Sequence, residues 1–187
     1  MYRVPISSRQ TSCIVFWTKN PGSLIERLEE LESYGIPYYF LFTLTGYGPE
    51  LERNLPDKRG ILRNFLDLSR RLGPERVVWR YDPILFTHEY TPSVHIRLFR
   101  RLARELAAST RRCVLSYLTM YNKCRRNLDS VDLIEISTEQ KRSLATEIQS
   151  IASEYEIQLY FRRAKALQLS YNDTRRCEEI VAAAVLD

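Results

Sequence analysis

Arg76-Val77-Val78-Trp79-Arg80-Tyr81-Asp82-Pro83-Ile84 is apolar or aromatic at most positions, but it carries one arginine and one aspartate near its end. A short, nearly continuous apolar run rich in β-branched and aromatic residues reads as a strand covered on both faces, as in a parallel sheet. Arg80 and Asp82 are two residues apart, so both fall on the same strand face. Two readings follow. The charges can form a satisfied ion pair that seals one end of a core, because buried charges are usually paired. They can also belong to a site, because parallel α/β folds gather their chemistry where strands end.

The flanks repeat the pattern. Upstream, Cys13 to Thr18 and Tyr38 to Thr45 are two more apolar runs. Between them Leu24, Leu28 and Leu31 recur at helical spacing, Asn20 and Pro21 start that helix, and Gly35 stops it. A helix after Pro56-Asp57 presents Ile61, Leu62, Phe65, Leu66 and Leu68, and Gly73-Pro74 closes it. Downstream, Thr91-Pro92 opens a helix through Ile96, Phe99, Leu102 and Leu106 that runs to near Arg112. Cys113 to Leu118 is a fourth strand, Thr138 to Glu154 a helix, and Ile157 to Phe161 a fifth strand. Alternating strands and long crossovers predict an α/β fold of parallel β/α units. About five strands are too few to close an eight-stranded barrel of roughly 250 residues, so the expectation is a partial, TIM-like (β/α) barrel over residues 1–161. Residues 162–187 have a divergent character, with no turn signal where a strand should exit.

At 187 residues, 44% hydrophobic and 27% charged, the chain has globular proportions. It contains no 18-residue apolar run and no signal-peptide pattern at its start, so the expected location is cytoplasmic, without a membrane partner. Its net charge of +5 comes mainly from arginine, including Arg97, Arg100, Arg101, Arg104, Arg111 and Arg112. A solvated helix face accounts for these; a nucleic-acid or phosphate surface is the alternative. The cysteines Cys13, Cys113, Cys124 and Cys177 form no metal-binding spacing, and Pro92 falls between His88 and His95.

In a parallel sheet the strand exits open on one side. They carry Trp17, Thr18, Lys19 and Asn20; Thr43, Thr45, Gly46 and Tyr47; Arg80 and Asp82; then Ser116, Tyr121 and Lys123. Lysine, arginine, threonine and asparagine around a glycine turn favour a small anionic or carboxylate-bearing ligand. Lys19 and Asn20 can equally just begin a helix, and Gly46-Tyr47-Gly48 can be only a turn. It is neither a GxGxxG nor a P-loop.

Cys13-Ile-Val-Phe-Trp-Thr-Lys-Asn-Pro21, Tyr38-Tyr-Phe-Leu-Phe-Thr-Leu-Thr-Gly-Tyr-Gly48, Val78-Trp-Arg-Tyr-Asp-Pro-Ile84 and Cys113-Val-Leu-Ser116 strongly resemble the domain-of-unknown-function 1848 family of bacterial and archaeal proteins. The resemblance implies a (β/α) barrel related to radical S-adenosylmethionine enzymes and similar to spore photoproduct lyase. It also implies, for full-length relatives, a C-terminal CxxxCxxC motif holding a [4Fe–4S] cluster. Here that motif is absent, as is the family's upstream strand, so the chain is expected to be truncated at both ends and to hold no cofactor itself. What carries over is Trp17, Lys19, Asn20, Thr43, Thr45, Gly46, Tyr47, Arg80, Asp82 and Pro83. Relatives typically read Cys-Ala-Glu-Pro after the fifth strand, and a shifted frame of such codons yields Arg-Arg-Ala-Lys, the text of residues 162–165. The tail is therefore expected to be out of frame. Three functions stand at this point: a barrel fragment with a polar ligand site but no cluster, a non-redox binding module for a phosphorylated or nucleic-acid ligand, and an inactive truncated product.

Overall fold

The computed structural model describes residues 11–120, 128 and 130–161. The chain alternates strands and helices: β1 (Ile14–Thr18), α1 (Gly22–Ile25), α2 (Leu28–Ser33), β2 (Tyr38–Thr43), α3 (Lys58–Leu72), β3 (Val77–Ile84), α4 (Pro92–Leu106), β4 (Arg112–Tyr117), α5 (Thr138–Glu154) and β5 (Gln158–Phe161). Every neighbouring pair of strands is parallel, and the order is β1-β2-β3-β4-β5. The α/β fold with crossover helices stands as the sequence indicates. The sheet, however, is open among the described residues: β1 and β5 are its edges, and it does not close into a barrel.

The helices start and stop for local reasons. The Asp57 carboxylate accepts from the Arg59 and Gly60 amides at the start of α3, and Thr91 accepts from Val94 at the start of α4, where Pro92 occupies the first turn. Ser137 and Gln140 make a reciprocal capping box on α5. Two expectations shift. The helix expected after Asn20 divides at Glu26–Arg27 into α1 and α2, with Pro21 as the N-cap residue and Gly35 beyond the end at φ 61°. Helix α4 ends at Leu106 rather than near Arg112, because the Ser109 and Thr110 amides both turn back onto the Leu106 carbonyl.

Alternation along the strands separates two chemistries. Phe40, Phe42, Val77, Trp79, Tyr81, Cys113 and Leu115 join Phe65, Leu68, Phe99, Leu106 and Ile148 in one core. Trp79 stacks on Phe99 with ring centroids 4.7 Å apart, and its indole N–H donates to the Leu44 carbonyl at 2.8 Å. The intervening residues, Thr43, Arg80, Asp82 and Ser116, therefore share the other sheet face. Pro83 has no N–H for the ladder. The β3–β4 register accordingly shifts between Tyr81 and Ile84, and pairing resumes at Ile84, whose carbonyl accepts from Leu118 N–H at 2.7 Å.

Candidate functional site

Arg80 is the hub of the polar face. It is aligned with Thr43 across the β2–β3 ladder and donates to the threonine hydroxyl at 3.0 Å. Its guanidinium reaches past β2 to lie 3.9 Å from the centroid of the Trp17 ring on β1. It forms an ion pair with Asp82 on its own strand, and Asp82 also accepts from the Ser116 hydroxyl on β4. Four adjacent strands thus meet through one arginine. Arg80 and Asp82 are only 4% and 9% exposed, so the pair is a desolvated one whose charges and hydrogen bonds are matched within the fold. Trp17, at 60% exposed, is the face this cluster turns to solvent.

A second cluster sits further along the strand exits. Thr45 and Lys19 each follow a member of the first cluster, Thr43 and Trp17, by two residues. Both lie just beyond the ends of their strands, β2 and β1. Lys19 Nζ lies 2.5 Å from Glu52 Oε1, Thr45 donates to the same oxygen at 3.1 Å, and Lys58 pairs with the other carboxylate oxygen. Burial pushes the Glu52 carboxyl up, but the bonds and charges of Lys19 and Lys58 outweigh it and hold the group below its ordinary range. Glu52 is 6% exposed at its side chain, whereas Lys19 and Lys58 are 41% and 34% exposed. Lys58 also acts on a second carboxylate, Glu50, which the Tyr90 hydrogen bond, as the larger cause, and the Lys58 charge help to hold below its ordinary range.

The remaining predicted residues do other work. Tyr47 is buried; its hydroxyl donates to the Pro83 carbonyl at 2.8 Å and accepts from the Leu85 amide at 3.0 Å, clipping the exit of β2 to that of β3. Burial holds its phenol protonated by raising its pKa far above the usual value. Asn20 accepts from the Gly22 amide at 3.3 Å and from the Asn64 side chain at 3.0 Å, so it fastens α1 to α3. Gly46 is a packing position: a Cβ there would come within 2.8 Å of the Leu98 methyl carbons. Tyr121 and Lys123 lie outside the described residues.

Two groupings were not anticipated from sequence. Glu52 and Lys58 sit in a stretch dense with charge, Glu50 to Lys58, where no local signal distinguishes the carboxylate that becomes buried. His95 is fully buried, with Nδ1 2.9 Å from the Tyr81 hydroxyl and Nε2 2.9 Å from the Leu85 carbonyl. Donation from Nε2–H to the carbonyl leaves Nδ1 to accept from Tyr81. Burial lowers the His95 pKa and favours this neutral form. Among the described residues no group of three or more His, Cys, Asp or Glu is placed to hold a metal ion, and no helix is long and apolar enough to cross a membrane. The arginines expected on a solvated helix face meet acids: Arg100 with Glu154, Arg104 with Glu105, and Arg111 and Arg112 with Glu75.

A parallel sheet in strict chain order, with a paired arginine and a lysine-rich cluster at its strand exits, defines a protein built of successive β/α units. The family described as "Domain of unknown function (DUF1848)" matches residues 1–180, and the chain belongs to that family. No curated protein matches the sequence.

Proposed function

We propose that the chain is a sector of a (β/α) barrel, related to radical S-adenosylmethionine enzymes, whose strand-exit face binds a small anionic ligand. The sheet order supports the barrel reading: strands added in sequence without reversal are the arrangement of a barrel wall, whereas doubly wound sheets reverse at a switch point. The observation that carries the ligand reading is the Lys19–Glu52–Lys58 cluster, two half-exposed ammonium groups sharing one buried carboxylate. A carboxylate or phosphate oxygen arriving there would meet two ammonium groups already held in position by Glu52.

The resemblance implies a [4Fe–4S] cluster and S-adenosylmethionine for full-length relatives. The described cysteines do not fit such a cluster. Cys13 precedes β1 and Cys113 lies near the start of β4, at the opposite ends of those strands from Ser116 and Trp17. Cys113 is also buried in the helix-side core, where desolvation raises its thiol pKa far above the usual range. When bound in a relative, the cluster would supply reductive cleavage of S-adenosylmethionine; the residues described here would bind and orient a ligand.

Calorimetric titration with inorganic phosphate and with small carboxylates tests this reading. Saturable binding is expected that weakens with added salt and falls roughly tenfold or more in Lys58→Gln, the loss of one charge-assisted hydrogen bond. Equal binding to wild type and Lys58→Gln would remove the lysine cluster from the site.

A further inference from the structure

The basic charge of the chain is not spread evenly over its helices. Helix α3 carries five basic residues against one acid, Asp67, and α4 carries four arginines against one acid, Glu105. That surplus of +7 exceeds the +5 of the whole chain. The preceding and following helices are acidic: α2 has Glu29, Glu30 and Glu32 and no base, and α5 has three acids against two bases. The two basic helices lie side by side on one face of the sheet. Phe65 of α3 packs on Phe42 of β2 with ring centroids 4.9 Å apart, and Phe99 of α4 stacks on Trp79 of β3 at 4.7 Å. Phe42 and Trp79 are partners in the β2–β3 ladder.

The outward sides of these helices are lined with arginine. Because Phe65 and Leu68 on α3, and Phe99 and Ala103 on α4, point into the core, Arg59 and Arg63 on one helix and Arg97 and Arg101 on the other are exposed. Each of these pairs is at i, i+4 spacing, where like charges repel and cost the helix stability. The acids of the two helices are engaged elsewhere: Asp67 with Arg70 and Arg71, and Glu105 with Arg104. Among the described residues, Arg59, Arg63, Arg97 and Arg101 take part in no ion pair. An anion docked between them relieves the repulsion, and the guanidinium fork matches phosphate. A 15-residue helix is roughly 22 Å long, and a nucleic-acid duplex presents about one phosphate per 1.7 Å of its axis, so each helix spans several phosphates. No large apolar side chain of α3 or α4 is exposed. The face therefore lacks the apolar side that a bilayer surface takes up, and the aromatic platforms on which unpaired bases stack. We infer that the outer face of α3 and α4 docks a nucleic-acid duplex through its phosphate backbone, without reading its bases.

Fluorescence anisotropy of labelled DNA duplexes, read across a salt series, tests this. Two duplexes of unrelated sequence should bind alike, with Kd of about 10⁻⁶–10⁻⁴ M at physiological salt, and should tighten steeply as salt is lowered. Losing one arginine–phosphate contact flattens the slope of log K against log salt by about one. Arg97→Gln combined with Arg101→Gln should therefore flatten it by about two and weaken binding. Arg142→Gln on α5 removes the same charge as Arg97→Gln alone and should leave the wild-type slope. All three side chains are exposed, and unchanged melting temperatures report that the variants are folded. Absence of binding at low salt, or an unchanged slope in the double variant, would overturn the docking face. Equal losses in Arg142→Gln and Arg97→Gln would overturn it too, by reducing the effect to net charge. Tighter binding of a single strand, or of vesicles made of equal parts phosphatidylcholine and phosphatidylserine, would overturn the duplex as partner. Arg97 and Arg101 belong to neither strand-exit cluster, so each of these outcomes is separate from phosphate binding at Lys19 and Lys58.

Discussion

Arg80 and Asp82, two residues apart on β3, form an ion pair almost sealed from solvent, and each is tied to a neighbouring strand by a hydroxyl, Thr43 on one side and Ser116 on the other. A pair in this setting is costly to break and much less costly to replace whole. Asp82→Asn should destabilise the fold by about 3–5 kcal/mol, because it leaves a buried guanidinium uncompensated. Arg80→Met combined with Asp82→Leu should cost far less than the sum of the single changes. A double-mutant cycle in denaturant measures the coupling; simple additivity would mean that the two charges are stabilised independently.

Glu52 should act as an acid-sensitive fastener. Its folded pKa lies below the unfolded value, so its contribution is present above that unfolded value and disappears as pH falls through the folded one. Wild type should therefore melt higher than Glu52→Gln near neutral pH, and the two should converge in acid, below about pH 4. The solvent around Lys19 and Lys58 keeps the difference modest. Melting curves recorded across the acid range decide it, and a constant gap would point to packing rather than charge.

Tyr47→Phe removes one hydroxyl and strands two backbone groups, the Leu85 amide and the Pro83 carbonyl. The expected loss is about 1–3 kcal/mol, the cost of an unsatisfied buried donor, with little change in anion binding. Denaturant midpoints and a phosphate titration on the same variant separate the two. A large affinity loss with unchanged stability would restore Tyr47 to the ligand.

His95, bonded to Tyr81 and to the Leu85 carbonyl, gives the exit of β3 its own pH response. Its folded pKa is lowered, so the unfolded chain takes up the proton first as the solution is acidified. The stability that neutral His95 provides should be complete above about pH 6.5 and decline below it. His95→Gln should lack this decline, and parallel denaturant titrations at several pH values would reveal it.

The fold was largely readable because its signals are local. Four of the strands are apolar runs bounded by Gly, Pro or polar residues, and Thr91-Pro92 marks the start of α4 through the chemistry of the first turn. The pairing of Arg80 with Asp82 follows from i,i+2 spacing on one strand. Other features depend on what meets in space. Tyr47 and Arg80 both stand at strand exits, yet the phenol turns to the backbone of β3 and the guanidinium to Trp17. Glu52 becomes buried only because Lys19 and Lys58 converge from either side, and no sequence window contains all three together with their separation in space. Closure of a barrel is a property of how far the strands extend around an axis, which the alternation of strands and helices does not encode.

The unbroken β1-β2-β3-β4-β5 order has a consequence for how the protein is made. Each new strand finds its partner in the strand synthesised just before it, after a single crossover, so no pairing must wait for a distant segment to emerge from the ribosome. The unpaired edge moves along the nascent chain, being capped at each step by the next strand to arrive. Trp17 and Thr43 are thus synthesised before the Arg80 that contacts them, and Ser116, the partner of Asp82, follows last.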